Sequence, residues 1–144
     1  MGKVISVNIS TKKSVRKKPV GEVEIIENFG IKNDAHASEK WHRQVSLLAI
    51  ESIKKMQDKG FNVNPGDFAE NITTEGLDLV SLPIGTKMKI GETELEVSQI
   101  GKECHTKCSI YYQAGDCVMP KEGIFAKVIV GGKIKVGDRI EVLI

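Results

Sequence analysis

The sequence concentrates thiol chemistry in one segment of its last third. Cys104 and Cys108 are separated by three residues, and Cys117 follows nine residues after Cys108. The side chains near Cys104 that carry or can carry positive charge are Lys102, His105 and Lys107. Nearby cations stabilise a thiolate over a thiol, and the thiolate ligates soft metals, attacks sulfur or carries a persulfide. Cys104 is therefore a candidate reactive residue, with Cys108 and Cys117 as secondary thiols.

Three other interpretations of these cysteines stay open on the residues alone. Free cysteines are often small buried hydrophobic side chains. Together with His105 they also match a Cys3His zinc set, although the paired CxxC spacing of zinc ribbons is missing. Cys104 and Cys108 can alternatively cycle as a redox pair. Covalent haem attachment is excluded because the order is Cys-His-x-x-Cys rather than CxxCH.

Two polar loops offer further candidate ligands. In the loop 33–43, Asp34 and His36 stand two residues apart, so an extended chain points both side chains to the same face. Arg43 is suited to bidentate binding of a phosphate or carboxylate. Exposure of the histidine and a surface salt bridge for the arginine are the simpler alternatives.

The second polar loop is predicted at residues 65–79. Asn71 and Thr73 offer neutral hydrogen-bonding groups suited to the edge of a heterocycle. The same side chains can instead cap turns and strand ends.

Overall charge argues against a nucleic-acid partner. The net charge is +2 and aromatic residues make up 5% of the chain, which is too little for electrostatic capture or base stacking. Five cations lie within residues 12–18. This cluster is either a solvated loop or an attractor for an anion such as a cofactor phosphate.

The elements that must position these groups are mainly strands. Short apolar stretches with a two-residue period predict strands at 4–9, 20–29, 85–90, 94–100, 124–130, 132–136 and 139–144. A helix is predicted at 47–59, ending before Gly60, and a shorter one at 109–114. The similar stretches 85–92 and 131–138 predict two related hairpins of a closed or partly open barrel.

Length and hydropathy predict one domain, 1–144, in the cytoplasm. The 144 residues suffice for a buried core. No apolar run approaches the ~18 residues of a membrane span, and no export signal is recognisable. The three cysteines are therefore expected to remain reduced.

Several stretches, taken in order, resemble the MOSC family, named for the C-terminal domain of molybdenum cofactor sulfurase. The matching stretches are residues 30–36, 43–47, 65–77, 84–97 and Cys104, and the Glu70–Gly76 run (Glu-Asn-Ile-Thr-Thr-Glu-Gly) is the most specific. The resemblance extends from about Val4 to Val142. It implies a MOSC-type β-barrel with one or two peripheral helices.

The resemblance also implies a function. Family members deliver sulfur to molybdenum cofactor (Mo-molybdopterin), or hold it through a cysteine while reducing N-hydroxylated compounds. Cys104 would then be the sulfur carrier or the molybdenum ligand. The expected cofactor-binding residues are Asp34, His36, Arg43, Asn71 and Thr73. Whether the chain is itself an enzyme, as a sulfur transferase or a reductase, stays open.

The implied partners are the cofactor and a cysteine desulfurase, a cofactor-synthesis protein or a molybdoenzyme. Pyridoxal phosphate would enter only through the desulfurase, because this chain has no evident Schiff-base motif. Cys104 follows Gly101-Lys102-Glu103 rather than the family's Arg-x-Pro, which leaves the substrate open. The alternative function is a non-catalytic binding module, stabilised by zinc and associated with cofactor synthesis.

Overall fold

The structure is a computed structural model that describes residues 2–10, 17–34, 44–60, 62–68, 70–100 and 123–143. These ranges contain eleven strands and one α-helix. In chain order they are β1 (Gly2–Ile9), β2 (Lys18–Val20), β3 (Glu22–Ile26), β4 (Gly30–Ile31), β5 (Val45–Ala49), α1 (Ile50–Asp58), β6 (Ile72–Glu75), β7 (Lys87–Ile90), β8 (Thr93–Ile100), β9 (Ile124–Val130), β10 (Gly132–Lys135) and β11 (Arg139–Leu143).

Seven strands close into a barrel. Their hydrogen-bonded order is β11-β7-β8-β9-β5-β6-β1, and β1 pairs again with β11. β5 and β6 run parallel, whereas the other neighbours in the ring are antiparallel. Closure leaves no unpaired edge within the ring. The prediction of a mainly β, barrel-type fold with a peripheral helix is confirmed.

A second, three-stranded sheet packs on the barrel in the order β10-β3-β4. Buried and exposed residues alternate along β3, which buries Val23 and Ile25 and exposes its other three residues. Ile25 and Ile134 belong to the same buried hydrophobic cluster as barrel residues such as Leu47 and Ile124. The two sheets therefore share one core.

The predicted helix begins later than expected. α1 starts at Ile50, and Leu47 and Leu48 lie in β5, where every residue is buried. A strand covered on both faces is a continuous apolar run, which periodicity alone cannot separate from a buried helix. The predicted start was wrong, whereas the end before Gly60 is correct, with Gly60 at φ 95°. The second predicted helix, 109–114, lies outside the described residues.

Only one of the two predicted hairpins exists. β7 and β8 pair around Gly91, whose φ is 56°. In the second of the two similar stretches, residues 131–138, no hairpin forms. β10 pairs with β3, whereas β11 pairs with β7 and β1. Gly137, at φ 95°, instead turns the chain from the small sheet into the barrel. Similar local sequences thus adopt different pairings because their tertiary neighbours differ.

Two other predicted boundaries also change. The predicted loop 65–79 contains β6, which was missed because its Thr and Glu residues resemble a polar loop. The predicted strand 20–29 ends at Ile26, since Asn28 adopts φ 52° and turns the chain toward β4. Both differences lie close to the predicted site residues.

Candidate functional site

A layer of buried polar side chains lies on the outer face of the barrel, across β1, β6 and β5. Val7 and Ile72 face each other in the barrel core. Because side chains alternate along a strand, their neighbours point the other way. We call the polar layer the outward-facing side chains of Ser6, Asn8, Ser46, Asn71 and Thr73 together with that of Glu70, which precedes β6 and accepts a hydrogen bond from Thr73; all six are buried.

Residues 62–68, here the covering segment, pack over part of the polar layer. A methyl group on Gly66, whose φ is +91°, would overlap the carbonyl of Lys17 and lie 3.3 Å from the Asn8 side chain. The backbone N–H of Lys17 donates to the Gly66 carbonyl at 2.8 Å. The Gln57 side chain on α1 donates to the Val63 carbonyl at 2.8 Å. Helix and strands together thus hold this segment in place.

Asn71 joins the two strands that flank β6. Its side-chain oxygen accepts hydrogen bonds from the backbone N–H of Ser46 at 3.0 Å and from the Ser46 hydroxyl at 3.1 Å. Its side-chain nitrogen donates to the Asn8 carbonyl at 3.2 Å. The amide of Asn71 therefore bridges β5 and β1 and is 1% exposed.

Thr73 lies in the middle of a chain of hydrogen bonds. The Ser6 hydroxyl donates to the Asn8 side-chain oxygen at 2.7 Å. The Asn8 side-chain nitrogen donates to the Glu70 carbonyl and to the Thr73 hydroxyl, each at 3.2 Å. The Thr73 hydroxyl donates to Glu70 Oε2 at 2.8 Å. This chain ends at a carboxyl group.

That carboxyl group belongs to Glu70, which sequence reasoning did not select. Burial raises the pKa of Glu70 to about 7, although backbone N–H groups, that of Gly66 foremost, and the Thr73 hydroxyl oppose the rise. Its Oε1 atom has no hydrogen-bond partner among the described residues. Both protonation states of Glu70 are therefore accessible near neutral pH.

Asp34 forms a buried ion pair with Lys17. The Lys17 ammonium lies 2.7 Å from Asp34 Oδ1, and both side chains are fully buried. The backbone N–H of Ser10 donates to the same oxygen at 3.1 Å. Lys17 belongs to the basic cluster 12–18, so at this position the cluster is a buried charge rather than a solvated loop.

The structure describes three of the predicted site residues. Asn71 and Thr73 share the polar layer, and Asp34 is connected to that layer through Lys17 and the covering segment. The other predicted residues, His36, Arg43, Cys104, Cys108 and Cys117, lie outside the described residues.

Sequence reasoning did not select Asn8, Ser46 or Glu70 as site residues, and it considered Lys17 only as part of the basic cluster 12–18. The signal for Asn8 was present, because Ser6 and Asn8 alternate with Val7 and Ile9 along β1. For Glu70 and Lys17 the sequence gave no sign of burial, since their burial depends on segments that are distant in sequence.

The described residues of the polar layer do not include a metal cluster. No group of three or more His, Cys, Asp or Glu side chains within the described ranges can hold a metal ion. A cavity of about 360 Å³ lies elsewhere, between α1 and the chain after β6, and is lined by Ala49, Glu51, Ser52, Lys55, Gly76, Leu77, Asp78, Leu79 and Val80. No helix in the described part of the chain could cross a bilayer.

Comparison with known proteins identifies a family and a fold. A family model described as MOSC domain matches residues 32–141. The YuaD protein from Bacillus subtilis has a TM-score of 0.75 and 21% identity, with 99% of this chain and 96% of that chain covered. YiiM from Geobacillus stearothermophilus has a TM-score of 0.75 and 21% identity, with 100% of this chain and 76% of that chain covered. YiiM from Escherichia coli has a TM-score of 0.71 and 20% identity, with 100% of this chain and 70% of that chain covered. No curated protein matches the sequence.

Proposed function

Because the chain belongs to the MOSC domain family, we propose that it binds molybdenum cofactor and presents the Cys104 thiolate to it. The observation that carries this proposal is the family match over residues 32–141, which includes Cys104 and the Glu70–Gly76 run. A soft thiolate is a suitable ligand for a soft metal and a suitable carrier of sulfur. Cys104 then acts as a molybdenum ligand or as a sulfur relay.

The described residues can form a wall that supports the pocket for such a cofactor. The amide of Asn71 and the hydroxyl of Thr73 are engaged with protein partners, and the Asp34 carboxylate is buried against Lys17. A wall fixed in this way can hold the shape of a polar pocket without reorganising when a ligand binds. We therefore assign the supporting role to these three predicted residues.

Direct contacts with the cofactor are assigned to three residues beyond the wall. Arg43 suits the cofactor phosphate because a guanidinium pairs with it in a bidentate manner. His36 offers the hydrogen-bonding nitrogens of its imidazole, and Cys104 offers the soft sulfur. Asp34 directly precedes the segment that carries His36 and Arg43, so its ion pair with Lys17 fixes where that segment begins. The bound cofactor would supply the redox-active metal.

The sulfur-relay form requires a separate donor. Sulfur would come from a partner such as a cysteine desulfurase, which carries its own pyridoxal phosphate. The Cys104 thiolate would attack the outer sulfur of a persulfide on the donor, which forms the Cys104 persulfide and releases the donor's thiolate. Delivery of that sulfur to the cofactor as sulfide would break the new S–S bond and would require two electrons from a thiol reductant. The persulfide form adds the mass of one sulfur atom, which a thiol reductant removes.

Metal and pterin analysis tests the proposal. Protein made in a host that synthesises molybdenum cofactor is expected to contain molybdenum and pterin. Cys104→Ser should lose most of the molybdenum, because a hydroxyl is a poor ligand for a soft metal. Cys117→Ser is the matched control and should retain it.

Two outcomes would contradict this function. Equal molybdenum contents in the two cysteine variants would exclude Cys104 as a molybdenum ligand, and the absence of added sulfur mass on Cys104 would exclude it as a sulfur relay. Stoichiometric zinc without molybdenum, together with unfolding by a chelator, would support the zinc-stabilised binding module instead.

A further inference from the structure

Gln44 is a buried amide at the point where β5 begins. It directly precedes Val45, the first residue of β5, and it is 1% exposed. Its side-chain oxygen accepts the backbone N–H of Val128 at 3.0 Å. Its side-chain nitrogen donates to the side-chain oxygen of Asn28 at 3.2 Å. Both ends of the amide are therefore used inside the protein.

A third hydrogen bond closes these contacts into a ring. The backbone N–H of Asn28 donates to the Val128 carbonyl at 2.9 Å. We call Asn28, Gln44 and Val128 the Gln44 triangle. Its corners lie in the turn between β3 and β4, at the start of β5 and in β9. The triangle therefore joins the small sheet to the barrel.

The orientation of the Gln44 amide follows from the chemistry of its partners. A backbone N–H can only donate, so the Gln44 atom that contacts Val128 is the side-chain oxygen. The other end of the amide is then the nitrogen, and Asn28 must present its oxygen to it. Asn28 itself adopts φ 52°, a turn conformation that asparagine tolerates well.

The register of β5 and β9 shows what the Gln44 triangle displaces. Val45 pairs with Ala126 in antiparallel register. Two residues further along, the same register sets residue 43 opposite Val128. The N–H and the carbonyl of Val128 are already engaged by the Gln44 side chain and the Asn28 backbone. The triangle thus occupies the ladder position of residue 43, and β5 begins only at Val45.

A second buried anchor lies at the other end of the stretch that precedes Gln44. Asp34 is held by the Lys17 ammonium at 2.7 Å and by the Ser10 backbone N–H at 3.1 Å. Residues 35–43 therefore begin after one buried polar anchor and end before another. This stretch carries Arg43, to which the proposed function assigns the cofactor phosphate.

We propose that Gln44 is a positioning residue for Arg43, because its side chain ends β5 and keeps residue 43 out of the barrel ladder, where its guanidinium is available to an anionic group. The inference rests on the proposed function for the identity of that group, the phosphate of the cofactor. Gln44 does not touch the ligand and acts through its neighbour. A guanidinium whose backbone is already placed loses less conformational freedom when it pairs with a phosphate.

Two substitutions at Gln44 and one control separate positioning from a merely structural role. Gln44→Met keeps the length of the side chain and removes both hydrogen bonds. Gln44→Glu keeps an acceptor for the Val128 N–H, and its second oxygen accepts from the Asn28 amide, which is exposed and able to turn over. Thr93→Val is the matched control, because the buried Thr93 hydroxyl donates to the Ile90 carbonyl at 2.8 Å and its loss also removes a buried hydrogen bond.

The rate at which bound cofactor is released measures the positioning of Arg43. Pterin retained by dialysed protein is the readout. Gln44→Met and Arg43→Gln should each release the cofactor roughly tenfold faster than the wild type, because a charge-assisted bond to the phosphate is weakened. The double variant Gln44→Met/Arg43→Gln should release it no faster than Arg43→Gln, since Gln44 acts through Arg43. Gln44→Glu and Thr93→Val should behave like the wild type.

Hydrogen exchange at the backbone N–H of residue 43 tests the end of β5 without any cofactor. In Gln44→Met the Val128 N–H loses its side-chain acceptor, and the register then lets residue 43 join the ladder. Exchange at residue 43 should therefore be slower in Gln44→Met than in the wild type. Gln44→Glu should exchange like the wild type.

Additive effects of Gln44→Met and Arg43→Gln on cofactor release would overturn the positioning role. Equal effects of Gln44→Met and Thr93→Val on release would also overturn it. Unchanged exchange at residue 43 in Gln44→Met would refute the claim that Gln44 ends β5. If the wild type binds no cofactor, the proposed function fails, while the exchange comparison still decides whether Gln44 ends the strand.

Discussion

The side chain of Asn71 replaces backbone pairing where three strands meet. It accepts from the backbone N–H of Ser46 and donates to the carbonyl of Asn8. A primary amide suits this position because it carries a donor and an acceptor side by side. The same property led the sequence analysis to expect contact with a heterocycle. Contact of Asn71 with a heterocycle stays a prediction. The proposed function assigns Asn71 to the wall that supports the site.

The buried ion pair between Lys17 and Asp34 makes a prediction about stability. Lys17→Met removes the ammonium that lies 2.7 Å from the buried Asp34 carboxylate and should lower the free energy of unfolding by about 3–5 kcal/mol. The double variant Lys17→Met/Asp34→Leu should recover much of that loss, because neither charge then remains. Urea unfolding at neutral pH measures both.

Lys32→Met is the matched control for this prediction. Lys32 lies 3.7 Å from Glu24, and the two side chains are 58% and 55% exposed. Solvent screens such a pair, so its loss should change stability little. Equal effects of the two lysine substitutions would contradict the importance of burial at Lys17.

Thr73 and Thr74 are adjacent residues with opposite expected responses to loss of the hydroxyl. Thr73 donates to Glu70 and accepts from Asn8, so Thr73→Val should cost about 1–3 kcal/mol. The Thr74 hydroxyl is buried without a partner among the described residues, so Thr74→Val should be neutral or stabilising. Thermal unfolding of the two variants tests this, and a loss at Thr74 as large as at Thr73 would refute it.

At the scale of elements, β5 and α1 form one structural unit. β5 faces the barrel core with Leu47 and the helix side with Leu48, and α1 buries Ile53 and Met56. The helix has no side-chain cap at its N-terminus. Packing against β5, rather than capping, therefore accounts for its start at Ile50.

The covering segment depends on a glycine at position 66. Gly66→Ala combines a φ of +91° with overlap between the new methyl group and the Lys17 carbonyl. Gly85→Ala is the control, since Gly85 has φ +95° and open space around it. Gly85→Ala should lower the free energy of unfolding by about 1–2 kcal/mol through backbone strain alone. Gly66→Ala should lower it further, because the backbone at Lys17 must also move. Urea unfolding compares the two, and equal losses would contradict close packing here.

At the scale of the whole molecule, barrel closure brings distant parts of the chain together. β1 pairs with β11 at one end and with β6 along most of its length. This places Asn8 beside Glu70 and Thr73, more than sixty residues away. The polar layer exists only because β6 inserts between β5 and β1.

The sequence by itself determined the β-rich barrel class, the end of the helix, the glycine turns and the family. These follow from two-residue periodicity, local turn chemistry and a specific motif, all of which are local in the chain. It also singled out Asp34, Asn71 and Thr73.

Only the tertiary structure decided where β5 gives way to α1, which strand each glycine turn joins, and that Lys17 and Glu70 are buried. Each of these depends on long-range packing. Leu47 fits a helix until both faces of β5 are covered. β10 and β11 do not form a hairpin because both edges of β11 are paired, one with β7 and the other with β1. A charged side chain gives no local sign of burial, because its environment is made by residues that meet it only on folding.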